Sequence, residues 1–421
     1  MGNKIFYLLS ILVLIYNVNL IIRCCVANNK KIASIYNKKR KIKKAINYII
    51  LIPVFNEQQI VKETVRYFHE FCKQYNNVEC IFITTEKEKN TPQDVFTYEI
   101  ISAEIKKLNS KLRCINYPYK NGNKSNQLNY VLKKISVNVD MSNTYICIYD
   151  ADSRPDFNSI HEVTNIICNN NANVIQQPNI ANINYRKLNF YLKTESCFQT
   201  LRSYAIERYN AYVSTFKIIN KIIVPYSYCV GHGLIVNFKF LMDNGLFPSP
   251  FEDVTFGFKM ILSKTPVYPT VSADYCQTVE SFKDLFFQSG NWIKPFFYSL
   301  KIYKETIKTN NVSIYRKIIF FIKVLIDFYS WFSISCYYIF SLVLTFYYKD
   351  IMFFILSIFV VLFSNIVLFY PYFYIYKNHN IKNFVKILLF SLIREIVRSL
   401  AIFSYIYQKF NGWYYDSGRK K

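Results

Sequence analysis

The chain has 421 residues, enough for one sizeable domain and a further region. Hydrophobic residues make up 52% of it, with 37 Tyr and 37 Phe against 9 Gly, and long apolar runs gather at both ends around an α/β-like middle. The net charge of +25 comes with no recognisable nucleic-acid module, and much of the basic excess lies beside apolar spans, where anionic lipid headgroups are met. Nucleic-acid binding is therefore set aside in favour of a membrane protein. The eleven cysteines include no C-x-x-C pair and the four histidines are scattered, which argues against a zinc site or disulfide scaffold and fits a reducing cytosolic compartment.

In chain order, Ile5 to Ile22 is a nearly unbroken apolar run, close to the roughly 20 residues that cross a bilayer. Val26-Ala27 would suit the end of a cleaved signal peptide. Lys30, Lys31, Lys38, Lys39, Arg40, Lys41, Lys43 and Lys44 follow directly, and such a cluster stays on the cytoplasmic side. Residues 1–28 are read as a signal anchor in the cell membrane, with the middle of the chain in the cytoplasm.

Asn47 to Val54 is a doubly buried strand leading into Pro53-Val54-Phe55-Asn56-Glu57. Helical spacing of Val61, Val65, Phe68 and Cys72 follows, and Val78 to Thr84 is strand-like again, a βαβ unit of a parallel sheet. Ligands of such sheets sit beyond the carboxyl ends of the strands. Asn56, Glu57, Thr85 and Glu86 lie there. Lys124 opens a helix through Lys133, either as a point charge for a phosphate group or as a solvated helix-start lysine.

Tyr145 to Tyr149 is a further buried strand, ending in Asp150-Ala151-Asp152. Two acids one residue apart at a strand end can serve a hard divalent cation and a sugar nucleotide together, or simply start a turn before Pro155. Gly231-His232-Gly233 permits close backbone approach to a ligand, with His232 as a ligand contact or a structural histidine. Glu252-Asp253 follows a Pro-rich turn and precedes a helix through Met260, so each acid serves as a helix cap or as a chemical group.

Together, P-V-F-N-E at 53–57, N-G-N-K-S-N-Q-L-N at 121–129, D-A-D at 150–152, F-E-D at 251–253 and Q-S-G-N-W at 288–292 resemble the family 2 glycosyltransferases. The resemblance implies an α/β GT-A fold (Rossmann-like, mostly parallel sheet), a nucleotide-sugar donor, a divalent Mg or Mn cation, and transfer with inversion at the anomeric carbon. Residue by residue, it implies that Pro53, Asn56 and Glu57 hold the base and ribose, that Glu86 reads the base, and that Lys124 meets the diphosphate. Asp150 is implied at the ribose or nucleotide and Asp152 as the direct metal ligand. Asp253 is implied as the general base for the acceptor hydroxyl, with Glu252 in support. His232, Gln288 and Trp292 are implied on the acceptor side, where Trp292 is otherwise a core residue. The processive signature Q-x-x-R-W is broken, with Asn291 in the arginine position.

Residues 294–326 alternate aromatics with Lys and Arg, as interfacial amphipathic helices do, and 327–421 form a C-terminal membrane region. Phe328 to Tyr347 and Ile351 to Tyr374 are long enough to span. Phe384 to Tyr407 contains Arg394, Glu395 and Arg398, so it is either packed against other helices or at the interface, the latter favoured, before Trp413 and a basic tail. The expected domain order is thus the anchor, a catalytic domain over 46–293, the interfacial helices and the membrane region. The expected activity is transfer from a UDP-sugar to a lipid-linked or saccharide acceptor in cell-surface glycan synthesis. A processive polysaccharide synthase coupled to export, and a non-catalytic membrane partner that kept the fold, are the alternatives.

Overall fold

Strand β1 (Asn47–Pro53) shows why the middle of the chain is built as it is. Its side chains alternate, so Tyr48, Ile50 and Ile52 enter one core with Val61, Val65, Phe68 and Phe71 of the helix Val61–Lys73. Ile49 and Leu51 enter a second core with Leu128, Val131, Leu132 and Ile135 of the helix Lys124–Ile135. A strand apolar on both faces needs a helix on each side, which is the layering of an α/β sheet.

The computed structural model describes residues 2–36, 45–90, 95–225, 229–249, 251–308 and 312–410. The basic residues 38–44, Pro250, Trp413 and the basic tail lie outside the described residues. Strands β2 (Val78–Thr85), β3 (Arg113–Tyr117), β4 (Thr144–Ile148), β5 (Val174–Gln176), β6 (Leu234–Asn237) and β7 (Val267–Pro269) complete a seven-stranded sheet of order β3-β2-β1-β4-β6-β5-β7. Strands β3, β2, β1 and β4 are parallel, with Tyr48 opposite both Val78 and Tyr145. Strand β6 runs antiparallel to β4 and β5. The carboxyl ends of β1, β2 and β4 therefore share one edge of the sheet.

The chain divides into two units, one of residues 29–179 and 210–276 that carries the sheet, and one of residues 2–28, 180–209 and 277–410 that is helical. Of the span 46–293 expected as a catalytic domain, residues 180–209 and 277–293 fall in the helical unit. In the helical unit, Gly2–Val26 and Met352–Ile375 are long and apolar enough to cross a membrane. The expected span over Phe328 to Tyr347 is instead the end of one helix, Ile314–Ser330, and a second, Ser333–Tyr348, bent by 58°. The pair passes the same test of length and apolarity when taken together.

Inside the helix Ile381–Ser399, Arg394 and Glu395 are buried, as the packed alternative for these charges expects. Arg394 donates to Glu195 Oε2 at 2.8 Å and to Glu395 Oε1 at 2.7 Å, and all three side chains are buried. Hydropathy registers the charges of this helix but not the partner that the helix Phe190–Arg202 brings to them.

Candidate active site

The loop after β1 is held by a residue the sequence did not single out. Glu88 is 3% exposed; its Oε1 accepts from the backbone N–H of Asn56 at 2.7 Å, and its Oε2 from Thr97 N–H at 2.7 Å. Thr97 begins the helix Thr97–Lys107, so the carboxylate also meets the positive end of a helix. Asn56 is left-handed (φ 54°), a conformation asparagine tolerates, and the Glu57 carbonyl accepts from Ile60 and Val61 as the chain turns towards its helix. In sequence, Glu88 looked like one more member of the solvated run E-K-E-K-N. Glu86, expected to read a base, sits at the end of β2, where its carboxylate pairs with Lys89 at 2.7 Å and accepts from Asn116 at 2.5 Å. The hydrogen bond from Lys89, with that from Asn116, holds its carboxyl pKa below the ordinary carboxylate value.

At the end of β4, Asp150 to Ser153 form a tight turn in which Ser153 N–H donates to Asp150 C=O and Asp150 N–H donates to Ser153 Oγ. Thr64 Oγ1 donates to Ala151 C=O at 2.5 Å, tying this turn to the helix that follows the first loop. The segment N-G-N-K-S-N-Q-L-N is mainly a brace. Asn123 and Asn126 form a reciprocal capping box that starts the helix at Lys124. Asn129 donates to Phe247 C=O and accepts from Phe247 N–H, clamping the turn that leads to Glu252.

Lys124 is where these pieces meet. Its Nζ donates to Asp150 Oδ1 at 2.5 Å and to Gly231 C=O at 2.8 Å, and lies 3.7 Å from Glu252 Oε1. Burial disfavours its charge, but Asp150, Glu252 and Asp253 outweigh that and hold it firmly protonated. Burial likewise works against the Asp150 carboxylate, yet Lys124 and His232 keep it below its ordinary value. Glu252 and Asp253 open the helix Glu252–Leu262 after Phe251, which is itself left-handed (φ 64°), the kind of backbone strain that clusters at functional sites. Burial and the neighbouring Asp253 charge raise Glu252 above the ordinary carboxylate range, and burial raises Asp253 as well.

Gly231 explains the glycine-rich turn. A Cβ there would stand 3.0 Å from both Asp253 Oδ2 and Lys124 Nζ, and 3.4 Å from Glu252 Oε1. Gln176 fixes this turn by both ends of its amide, accepting from Val230 N–H at 3.0 Å and donating to His232 C=O at 2.9 Å. His232 Nδ1 bonds Asp274 Oδ2 at 2.7 Å, and Ser153 Oγ donates to the same oxygen at 2.7 Å. Burial would depress His232, but the bond and charge of Asp274, with Asp150 and Asp152, raise it to about 9. Asp274 Oδ1 is buried and accepts no hydrogen bond. Asp274, Ser153 and Gln176 left no mark in the sequence, because they act only through contacts across the sheet edge.

Five carboxylates (Asp150, Asp152, Glu252, Asp253 and Asp274) thus surround Lys124 and His232. That excess of negative oxygen suits a hard cation. Among the described residues, no group of three or more His, Cys, Asp or Glu side chains is arranged to hold a metal by itself. Asp152 is half-buried in the turn after β4. Pro53 ends β1. Gln288 and Trp292 lie in the helical unit, on the helix Phe282–Lys308. Trp292 is 38% exposed, and a Cβ at Gly290 would stand 2.5 Å from Ser404 Oγ, so this stretch is shaped by packing against the helix Ala401–Phe410.

Residues 49–245 match the family description "Glycosyl transferase family 2". Among solved structures, the mannosyltransferase PcManGT from Pyrobaculum calidifontis in complex with GDP-Man and Mn2+ is similar at 8% identity over 96% of this chain and 99% of that one, with a TM-score of 0.54. S. aureus TarS 1-349 in complex with UDP-GlcNAc is similar at 14% identity over 88% of this chain and 93% of that one, with a TM-score of 0.41. No curated protein matches the chain.

Proposed function

We propose that the chain, whose residues 49–245 match the family description "Glycosyl transferase family 2", is a membrane-bound inverting glycosyltransferase. It takes a sugar from a nucleotide-sugar, a UDP-sugar in the first instance, and passes it to a lipid-linked or saccharide acceptor at the cytoplasmic face of the membrane. The observation that carries this reading is the convergence of Asp150, Glu252 and Asp253 on Lys124, packed against Gly231 at the carboxyl ends of parallel strands. Two helices long and apolar enough to cross a membrane support the membrane placement, and the basic residues after the first support the orientation.

In this reading the loop of Pro53, Asn56 and Glu57, pinned by Glu88, receives the nucleotide, and Glu86 lies beside it. The acceptor hydroxyl gives its proton to the Asp253 carboxylate as its oxygen bonds to the anomeric carbon. The bond from that carbon to the diphosphate breaks, its electron pair leaves with the diphosphate oxygen, and the configuration inverts. Lys124 holds Asp150 and Glu252 in register across Gly231, and His232 adds positive charge on the side of Asp150 and Asp152. A divalent cation at Asp152 would act as a Lewis acid on the departing diphosphate.

The test is incubation of membranes bearing the chain with a panel of radiolabelled nucleotide-sugars, with and without chelator, followed by sizing of the product. Transfer that a chelator abolishes and Mg or Mn restores is expected. Absence of transfer from every donor would remove the catalytic reading.

A further inference from the structure

Asp274 joins two turns of the site. Its Oδ2 accepts from Ser153 Oγ in the turn after β4 and bonds Nδ1 of His232 in the glycine turn, each at 2.7 Å. Its backbone is fixed on both sides: Asp274 and Tyr275 pair antiparallel with Pro155 and Arg154, and Asp274 N–H donates to Pro178 C=O at 3.0 Å. Gly233, left-handed at φ 64°, lets the histidine turn approach, since a Cβ there would stand 3.4 Å from Asp274 Cβ. The Asp274 side chain is 0% exposed, yet its Oδ1 accepts no hydrogen bond. A buried carboxylate left half unmet costs stability, and a fold that keeps one points to a use for it.

We propose that Asp274 is a positioning residue that holds His232 with Nε2 presented to the diphosphate of the nucleotide-sugar, so that His232 serves the donor and not the acceptor. Lys124, implied at the diphosphate by the resemblance, is already committed to Asp150 and Gly231 and faces Glu252. The His232 ring is committed at one nitrogen only: Nδ1 is taken by Asp274, and Nε2 bonds no group among the described residues. Its side chain is 16% exposed, so a ligand can reach it. A carboxylate on one ring nitrogen fixes the tautomer and the direction of the other, and supports positive charge on the ring. The ring faces Asp150 and Asp152, the acids of the strand-end turn. A diphosphate brings the negative charge that such a donor suits, whereas an acceptor hydroxyl brings none. That charge grows as the bond to the anomeric carbon breaks, and an N–H already in place stabilises it without reorganisation. The inference rests on the nucleotide-sugar reading above and deepens it.

The full chain, purified in detergent with ¹⁵N-labelled histidine, has only His69, His161, His232 and His379 to resolve, and the signals lost in His232→Asn assign His232. It is titrated with UDP and with uridine in the presence of Mg, or with the matching pair for whichever donor is transferred. In the unmodified chain UDP is expected to move the His232 Nε2 signal, and uridine to leave it in place. Asp274→Asn keeps the size of the side chain and removes its charge. It should weaken UDP about tenfold and uridine not at all, with the acceptor KM unchanged. His232→Asn should do the same, and the double variant should bind UDP no worse than His232→Asn alone, because Asp274 acts through the ring. Where a variant fails to fold, the His232 signal of the unmodified chain still decides. A signal that ignores bound UDP, equal losses for UDP and uridine, additive losses in the double variant, or a raised acceptor KM with UDP binding kept would each overturn the inference alone. An unmodified chain that binds no nucleoside diphosphate would overturn the nucleotide-sugar reading and the inference with it.

Discussion

Lys124 Nζ lies 2.5 Å from Asp150 Oδ1, so the first residue of one helix is bound to the acid at the end of the central strand. The same ammonium also donates to Gly231 C=O and faces Glu252. One cation therefore sets the spacing between the acid that ends β4 and the acid that opens the helix Glu252–Leu262. Positions held this way are ready before a substrate arrives, and such preorganisation is where electrostatic catalysis gains most.

Asp253→Asn should nearly abolish transfer while leaving donor affinity and folding intact. Asn cannot take the proton of an acceptor hydroxyl, and loss of a positioned base costs about 10²–10⁴-fold in rate. Transfer rate and UDP-sugar affinity measured on the same purified variant separate this role from a capping one, because Asn caps a helix as well as Asp does. A variant that binds donor and transfers at the parental rate would remove Asp253 from the mechanism.

Gly231→Ala should cut the rate far more than it cuts stability. The new methyl would press on Asp253 Oδ2 and Lys124 Nζ at 3.0 Å, and both must shift to admit it. Even a small shift takes reacting groups out of line, and rates fall steeply with such misplacement. Parental kinetics in a folded Gly231→Ala chain would show that this crowding has no catalytic meaning.

The acidic limb of the kcat/KM profile should lie above the ordinary carboxylate range of about 4. Burial raises both Glu252 and Asp253, so the proton-accepting form is present above the raised value and is lost as pH falls through it. Glu252→Gln removes one of the two adjoining negative charges and should move the limb to lower pH. A limb at ordinary acidity in the parent would contradict the burial argument.

His232 should stabilise the fold in a pH-dependent way. Its folded value is raised to about 9, so its contribution is complete below the unfolded value of about 6.5 and is lost as pH rises through the folded one. Chemical denaturation should find His232→Asn weakened more at pH 6 than at pH 10. An equal loss at both would mean that the Asp274 contact is not an ionic one.

Asn129→Ala should destabilise without touching chemistry directly. It removes both bonds to the backbone of Phe247, a residue 2% exposed, and each buried polar group left unmet costs about 1–3 kcal/mol. A fall in Tm with donor affinity retained is expected, and an unchanged Tm would deny the clamp.

Sequence by itself determined the elements and the order of the motifs. The alternation in Asn47–Pro53 and the apolar run Thr144–Ile148 needed no partner to be read, because burial on both faces is written into the residue types. It also placed Asp150, Glu252 and Asp253 at element ends, where a parallel sheet puts its ligands. Only the tertiary structure decided what each group does there. Lys124 could be solvent-facing or central from its neighbours alone, and its 107-residue reach to Gly231 made it central. Glu88, Gln176 and Asp274 were invisible for the same reason, since their roles are contacts between residues far apart in the chain. In the helices, hydropathy gave the spans Gly2–Val26 and Met352–Ile375, which local apolarity suffices to define. It left the helix Ile381–Ser399 open between packing and an interface, because the cost of Arg394 depends on Glu195, 199 residues away. A charge in an apolar setting is judged by its partner, and a partner is a property of the fold.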